Sequence, residues 1–165
     1  MCKSKTTKPK EKKKPPKAKK KKAPTLSKLK KQLDTLYSKW LRMSNADEEG
    51  ICTCVSCGAR LFWKDIQNGH YCSRRHEILR WSPLNTFPQC KKCNIFTEGN
   101  KIWYRRNLVD NIFNETKVRE IEDKSLEPSP FKRADIEKMI RHYKSEVKRL
   151  ENEFKEKGIY EREGK

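Results

Sequence analysis

Two short cysteine pairs constrain this chain more than anything else in it. They are Cys54-Val55-Ser56-Cys57, followed by Gly58, and Cys90-Lys91-Lys92-Cys93, followed by Asn94. A tight C-x2-C turn lets both thiolates point at one metal ion, and two such turns complete a tetrahedral sulfur shell. The 32 residues between Cys57 and Cys90 exceed the spacing of the simplest zinc ribbons, so the insertion is expected to return the chain as a hairpin does. The implied ion is Zn2+. Four sulfurs close its shell, so this zinc should hold the fold rather than react. Cys52 and Cys72 are the alternative ligands, although Cys52 breaks the C-x2-C spacing.

A metal staple suits the composition. One third of the 165 residues are hydrophobic and 38% are charged, which leaves material for a small core. The formal net charge is +19. That exceeds what solubility needs and points to a polyanionic partner, most simply nucleic acid. Residues 1–24 hold twelve lysines against one acid, Glu11, for a net +11, and the remainder keeps +8. No apolar run approaches the roughly 18 residues of a membrane span. The lysine-rich N-terminus lacks the apolar stretch of a secretory signal. The expected location is a reducing cytoplasm, with no membrane partner. Cysteines there serve as metal ligands and free thiols.

The pattern divides the chain into four parts. Residues 1–25 read as a disordered Lys-rich arm that collects phosphates. Residues 26–50 read as a helix and a turn, because Leu26, Leu29, Leu33, Leu36, Tyr37, Trp40 and Leu41 recur at helical spacing up to about residue 44. Residues 51–100 form the zinc module. Leu61-Phe62-Trp63 reads as a strand there, Asp65 to Tyr71 as a turn and an extended segment, and Pro83 and Pro88 hold the next stretch in loops. Residues 101–165 read as helices, over about 101–113, 115–123 and a last one. In the last, Ile136, Ile140, Tyr143, Val147, Leu150 and Phe154 make a heptad seam. It packs either on its own domain or on a second protomer.

The insertion between the cysteine pairs is dense in polar groups: Asn68-Gly69-His70, Arg74, Arg75, His76, Arg80 and Asn85. Phosphodiester hydrolysis needs a base for water, a metal on the scissile phosphate and leaving oxygen, and cations for the backbone. His70, ending an extended segment after a glycine, is the candidate base. Asn94 is the candidate oxygen ligand. Arg74, Arg75 and Arg80, with Lys91 and Lys92 of the second pair, are candidate contacts to nucleic acid. Mg2+ keeps several waters and accepts few protein ligands, so a sparse site is acceptable.

Taken together, Gly69-His70-Tyr71-x-Ser73-Arg74, Arg80-Trp81, Asn85, Gln89-Cys90-x-x-Cys93-Asn94 and Gly99-Asn100 resemble the NinG/Rap family of phage recombination nucleases. The resemblance covers about residues 26–157. It implies membership of the HNH, or His-Me finger, nucleases, hence an α+β fold with a small ββα-metal core around the four-cysteine zinc, flanked by α-helices. His70 would then be the general base, Asn85 the residue that orients it, and Asn94 a ligand of catalytic Mg2+ or Mn2+. Many HNH enzymes carry an acidic or histidine metal ligand just before the base, where this chain has Gly69; Asn68 or Asp65 would supply that oxygen instead. The implied activity is structure-selective cleavage of branched DNA such as D-loops and Holliday junctions. A homodimer and host or phage recombination proteins are the partners such a reaction suggests. Two other readings stand beside it: a non-catalytic zinc module that binds nucleic acid, and a basic structural protein of the ribosome-associated kind.

Overall fold

Residues 23–159 are described by the computed structural model. Most of the expected Lys-rich arm, residues 1–22, lies outside the described residues, as does Cys2. The first helix, α1, spans Leu26–Ser44, and Thr25 caps it by accepting the Lys28 N–H on its hydroxyl oxygen. Strands β1 (Ile51–Thr53) and β2 (Arg60–Phe62) pair antiparallel, with Cys52 opposite Leu61, and carry the first cysteine pair in their turn. Strands β3 (Gln67–His70) and β4 (Thr86–Gln89) form a second antiparallel pair, with Gln67 opposite Gln89 and His70 opposite Thr86. A short helix, α2 (Glu77–Arg80), lies in the loop between them.

After β4 the second cysteine pair winds into a widened π-turn over Lys92–Phe96. Helix α3 follows at Lys101–Asn107 and widens into another π-turn at Leu108–Ile112. Helices α4 (Glu115–Lys124) and α5 (Arg133–Glu156) complete the element order, which makes the protein a mixed α+β fold with small antiparallel sheets. None of the described helices is long and apolar enough to cross a membrane.

One segment corrects the sequence reading. Thr86–Gln89 is a strand although Pro88 sits inside it. In a two-stranded sheet each strand is an edge, so a missing N–H is tolerated. Pro88 lies opposite Asn68, and its carbonyl accepts the Val55 N–H at 2.9 Å, tying this strand to the first cysteine pair.

The heptad seam of α5 is used within the chain. Its first half, Ile136, Ile140 and Tyr143, packs on Leu29, Leu33 and Tyr37 of α1 and on Trp81. Its last turns, Leu150 and Phe154, pack on Met43, Trp63, Ile66 and the cysteines. Tyr143 meets the Tyr37 ring edge-on, with centroids 5.1 Å apart, and Phe154 meets Trp63 the same way at 5.8 Å. The seam and the apolar face of α1 bury each other, so neither is open to a second protomer. A third cluster, Tyr71, Leu79, Tyr104, Leu108, Val118 and Ile121, joins the β3–β4 loop to α3 and α4. The second sheet is thus held between two helical supports.

Candidate metal centre and active cleft

The four cysteine sulfurs, of Cys54, Cys57, Cys90 and Cys93, lie within 4.8 Å of one another. A tetrahedral zinc with Zn–S bonds of about 2.3 Å has sulfur–sulfur edges of about 3.8 Å; the Cys57 and Cys90 sulfurs are 3.7 Å apart. N–H groups already face the sulfurs. The Cys90 amide donates to Cys54 Sγ at 3.3 Å, the Cys93 amide to Cys90 Sγ at 3.4 Å, and Asn100 Nδ2 to Cys93 Sγ at 3.3 Å. Desolvation raises the Cys54 thiol, but the N–H groups of Cys90, Cys57 and Ser56 outweigh it and hold it below the ordinary thiol value, whereas burial raises the Cys57 and Cys90 thiols, so it is the sulfur geometry and the facing N–H groups that speak for a metal. The donor set therefore fits a structural zinc. Cys52 and Cys72 do not join it. Cys52 points away and donates to the Arg42 carbonyl at 3.1 Å, with burial pushing its thiol up to about 12. Burial likewise raises Cys72.

A cleft of about 820 Å3 opens beside this centre. His70 reaches it from the end of β3. Its Nε2 is 3.0 Å from the Arg80 carbonyl oxygen. A carbonyl can only accept, so Nε2 carries the proton and Nδ1 keeps the lone pair. Burial lowers the pKa of His70 below 6.5. The Arg80 carbonyl opposes that shift, Arg74 and Lys101 add to it, and Asp34 opposes it. The neutral ring is therefore the majority form at pH 7.

Asn68 and Asn94 line the same cleft. The side-chain oxygen of Asn68 is buried with no hydrogen-bond partner, an arrangement that costs free energy unless something meets it. Asn94 comes from the π-turn and donates to Gln67 Oε1 at 2.8 Å. A hard cation takes oxygen donors and retains waters, so these amide oxygens are donors of the right kind for Mg2+ or Mn2+. Among the described residues the four cysteines are the only cluster of three or more His, Cys, Asp or Glu donors close enough for one ion. Asp65 and Glu98 also line the cleft, so a metal there has carboxylates to draw on beside the amide oxygens and water.

The glycine before His70 has a packing cause. A Cβ at Gly69 would lie 2.4 Å from Gln89 Oε1 and 2.7 Å from Gln89 Cβ. Gln89 is fully buried and donates from Nε2 to Ser56 Oγ and to the Gly99 carbonyl, both at 2.7 Å. The room an acidic or histidine side chain would need at 69 is taken by a residue that ties both cysteine pairs to β4.

The side-chain hydrogen bonds of Asn85 go elsewhere than the His70 ring. Asn85 is fully buried, and its side chain donates to the carbonyls of Cys72 and Leu79 and accepts the Cys72 N–H at 2.7 Å. It closes the β3–β4 loop upon itself, and so places α2, whose Arg80 carbonyl meets His70. Arg80 is occupied as well. Its guanidinium forms a fork with Asp34, at 2.9 and 2.6 Å, and lies over the Trp81 ring. Of the other expected cationic contacts, Arg74 lines the cleft, Arg75 lines a separate hollow, and Lys91 and Lys92 are exposed on the second cysteine turn. His76 donates to the Ser125 carbonyl at 2.7 Å and is a brace.

Sequence reasoning missed Asp34, Arg42, Lys64 and Lys101, which also line the cleft. Lys101 donates to the carbonyls of His70 and Tyr71, and burial lowers its pKa. Its nearness to the Gly99-Asn100 turn was the one local signal. Asp34 had none, because it stands among lysines on α1.

The family model described as bacteriophage lambda NinG protein matches residues 2–153, so the chain belongs to the NinG family. No curated protein and no solved structure matches it.

Proposed function

We propose that this NinG-family chain is a metal-dependent, HNH-type DNA endonuclease that hydrolyses phosphodiester bonds in branched recombination intermediates. One observation carries the reading: a histidine whose tautomer leaves Nδ1 basic shares a cleft lined by both cations and carboxylates with Asn68, whose amide oxygen has no partner. In this reading β3, β4 and the π-turn bearing Asn94 are the two strands and helix of a ββα-metal core.

His70 Nδ1 takes the proton of an attacking water, whose oxygen forms the new bond to phosphorus as the ester P–O bond breaks. The imidazolium formed keeps its Nε2–H on the Arg80 carbonyl, with Asp34 nearby to stabilise the charge. Asn68 and Asn94 would hold Mg2+ or Mn2+. An ion bound there would supply Lewis-acid polarisation of the scissile phosphate and charge stabilisation at the leaving oxygen. Arg74 and Lys101 hold the flanking phosphates. Asn85 and Asp34 are positioning residues that act through Arg80. The zinc stays outside the chemistry.

Incubation of the zinc-loaded protein with a synthetic four-way junction and with plasmid, with and without added Mg2+, tests this. Cleavage should require Mg2+ and be lost in His70→Ala. Equal cleavage by wild type and His70→Ala would sink the assigned base. Binding without any cleavage by the wild type would leave a non-catalytic, zinc-containing nucleic-acid-binding protein.

A further inference from the structure

Eight large hydrophobic side chains are exposed among the described residues, and four of them fall in the nine residues from 95 to 103. They are Ile95, Phe96, Ile102 and Trp103, with Phe96 71% and Trp103 53% exposed. Apolar exposure concentrated this way marks a contact surface. The segment is held at fixed points. Cys93 lies within the π-turn, its carbonyl accepts the Gly99 N–H at 2.9 Å, and its sulfur accepts from Asn100. A cation accompanies each aromatic ring. Lys91 Nζ is 5.8 Å from the centre of Phe96, and the Arg106 guanidinium is 5.3 Å from that of Trp103. The segment also stands between two hollows. Ile95 lines the cleft that holds His70, while Trp103 and Arg106 line a hollow of about 530 Å3 beside Cys57.

We infer that Phe96 and Trp103 form a stacking surface for unpaired DNA bases at the rim of the cleft. Every base has a π-face, so aromatic platforms flanked by cations bind single strands with little regard to sequence. Lys91, Lys92 and Arg106 supply the phosphate contacts beside the rings. The charge argues for this occupant over an apolar protein face, which would leave Lys91 and Lys92 without a partner of opposite charge; Arg106 already reaches Asp110 at 3.4 Å. An intact duplex keeps its base faces stacked inside, whereas a branch, gap or flayed end offers them. The surface therefore selects DNA whose strands separate next to the cleft. This inference rests on the DNA reading of the cleft but not on catalysis.

The test is direct binding by the full-length, zinc-loaded His70→Ala protein to a linear duplex and to the same duplex with a short single-stranded gap. The part of the tryptophan emission that is missing in Trp103→Phe should be quenched by the gapped DNA and not by the blunt duplex; Trp40, Trp63 and Trp81, buried or half-buried, set the background. Trp103→Ala and Phe96→Ala should each weaken gapped-DNA binding by about tenfold, with linear-duplex binding unchanged. Trp103→Phe should retain most of the affinity, because a ring still stacks. The exposed Leu126→Ala serves as the control. Equal losses on both DNAs would overturn the inference, since that describes a general DNA surface. So would unchanged binding in every variant. A wild type that never cleaves but whose Trp103 is quenched by gapped DNA would remove the nuclease reading and keep this one.

Discussion

In its proposed role as base, His70 must meet two demands: the ring must be neutral to accept a proton, and it must be held still. The Arg80 carbonyl holds it, and burial keeps it neutral. A base whose pKa lies below 6.5 is mostly deprotonated at pH 7. The acid limb of kcat/KM for cleavage is thus expected below pH 6.5, and a limb centred above pH 7 would contradict the assignment. The same lowered pKa contributes stability that is fully present above the unfolded value of about 6.5 and is lost as pH falls towards the folded one. Gly69 is the second informative residue. Gly69→Ala forces a Cβ against the buried Gln89 side chain. It should lower stability in urea by about 1–3 kcal/mol, the usual cost of overpacking. The residue identities of His70 and Asn94 were legible from their place around the second cysteine pair. The reason for glycine at 69 was not, because Gln89 lies 20 residues away in the chain and meets it only across the sheet.

At the level of elements, α1 carries more of the site than its pattern suggested. Its apolar stripe packs on α5, while Asp34 on another face holds Arg80 and accepts the Trp81 indole N–H at 2.9 Å. Asp34→Ala leaves both donors unmatched. The expected result is a loss of about 1.5–3 kcal/mol in chemical denaturation, typical of hydrogen bonds to charged groups. Cleavage should fall further than folding, since the Arg80 carbonyl loses its support. A cleavage rate that merely tracks the folded fraction would refute the positioning role. The α1–α5 seam makes another prediction. Leu33 is fully buried, and Leu33→Ala should cost about 2–5 kcal/mol. The mass measured by light scattering should not change, because the seam is filled within the chain. The helices were legible from their 3.6-residue period, but periodicity does not say which partner a stripe meets.

For the whole molecule, a zinc ion held by the four cysteines would join segments that are otherwise short and weakly cored. The two sheets have two strands each, and their packing includes the cysteines themselves. Cys90→Ser should therefore lose bound zinc and cooperative unfolding together, in contrast to His70→Ala, which should keep both. Zinc measured by elemental analysis alongside thermal melting checks this. A Cys90→Ser chain that retained full zinc and thermal stability would contradict it. Charge is also a property of the whole chain. Deleting residues 1–24 removes a net +11. It should weaken DNA binding and flatten its dependence on salt. An unchanged salt slope would mean that these lysines do not meet DNA.

The four cysteines, the base candidate, the helical stripes and the basic excess were determined by the sequence alone. Each is a matter of residue type at short spacing, which needs no knowledge of the fold. Tertiary structure decided what lies far apart in the chain. It set Asp34 under Arg80, Lys101 against the carbonyls of His70 and Tyr71, and Gln89 in the space beside Gly69. It also made Asn85 a loop closure rather than a direct partner of His70. The physical reason is the same in each case. A buried hydrogen bond or a close contact is chosen by what the packed core brings into range, and local spacing carries no record of that.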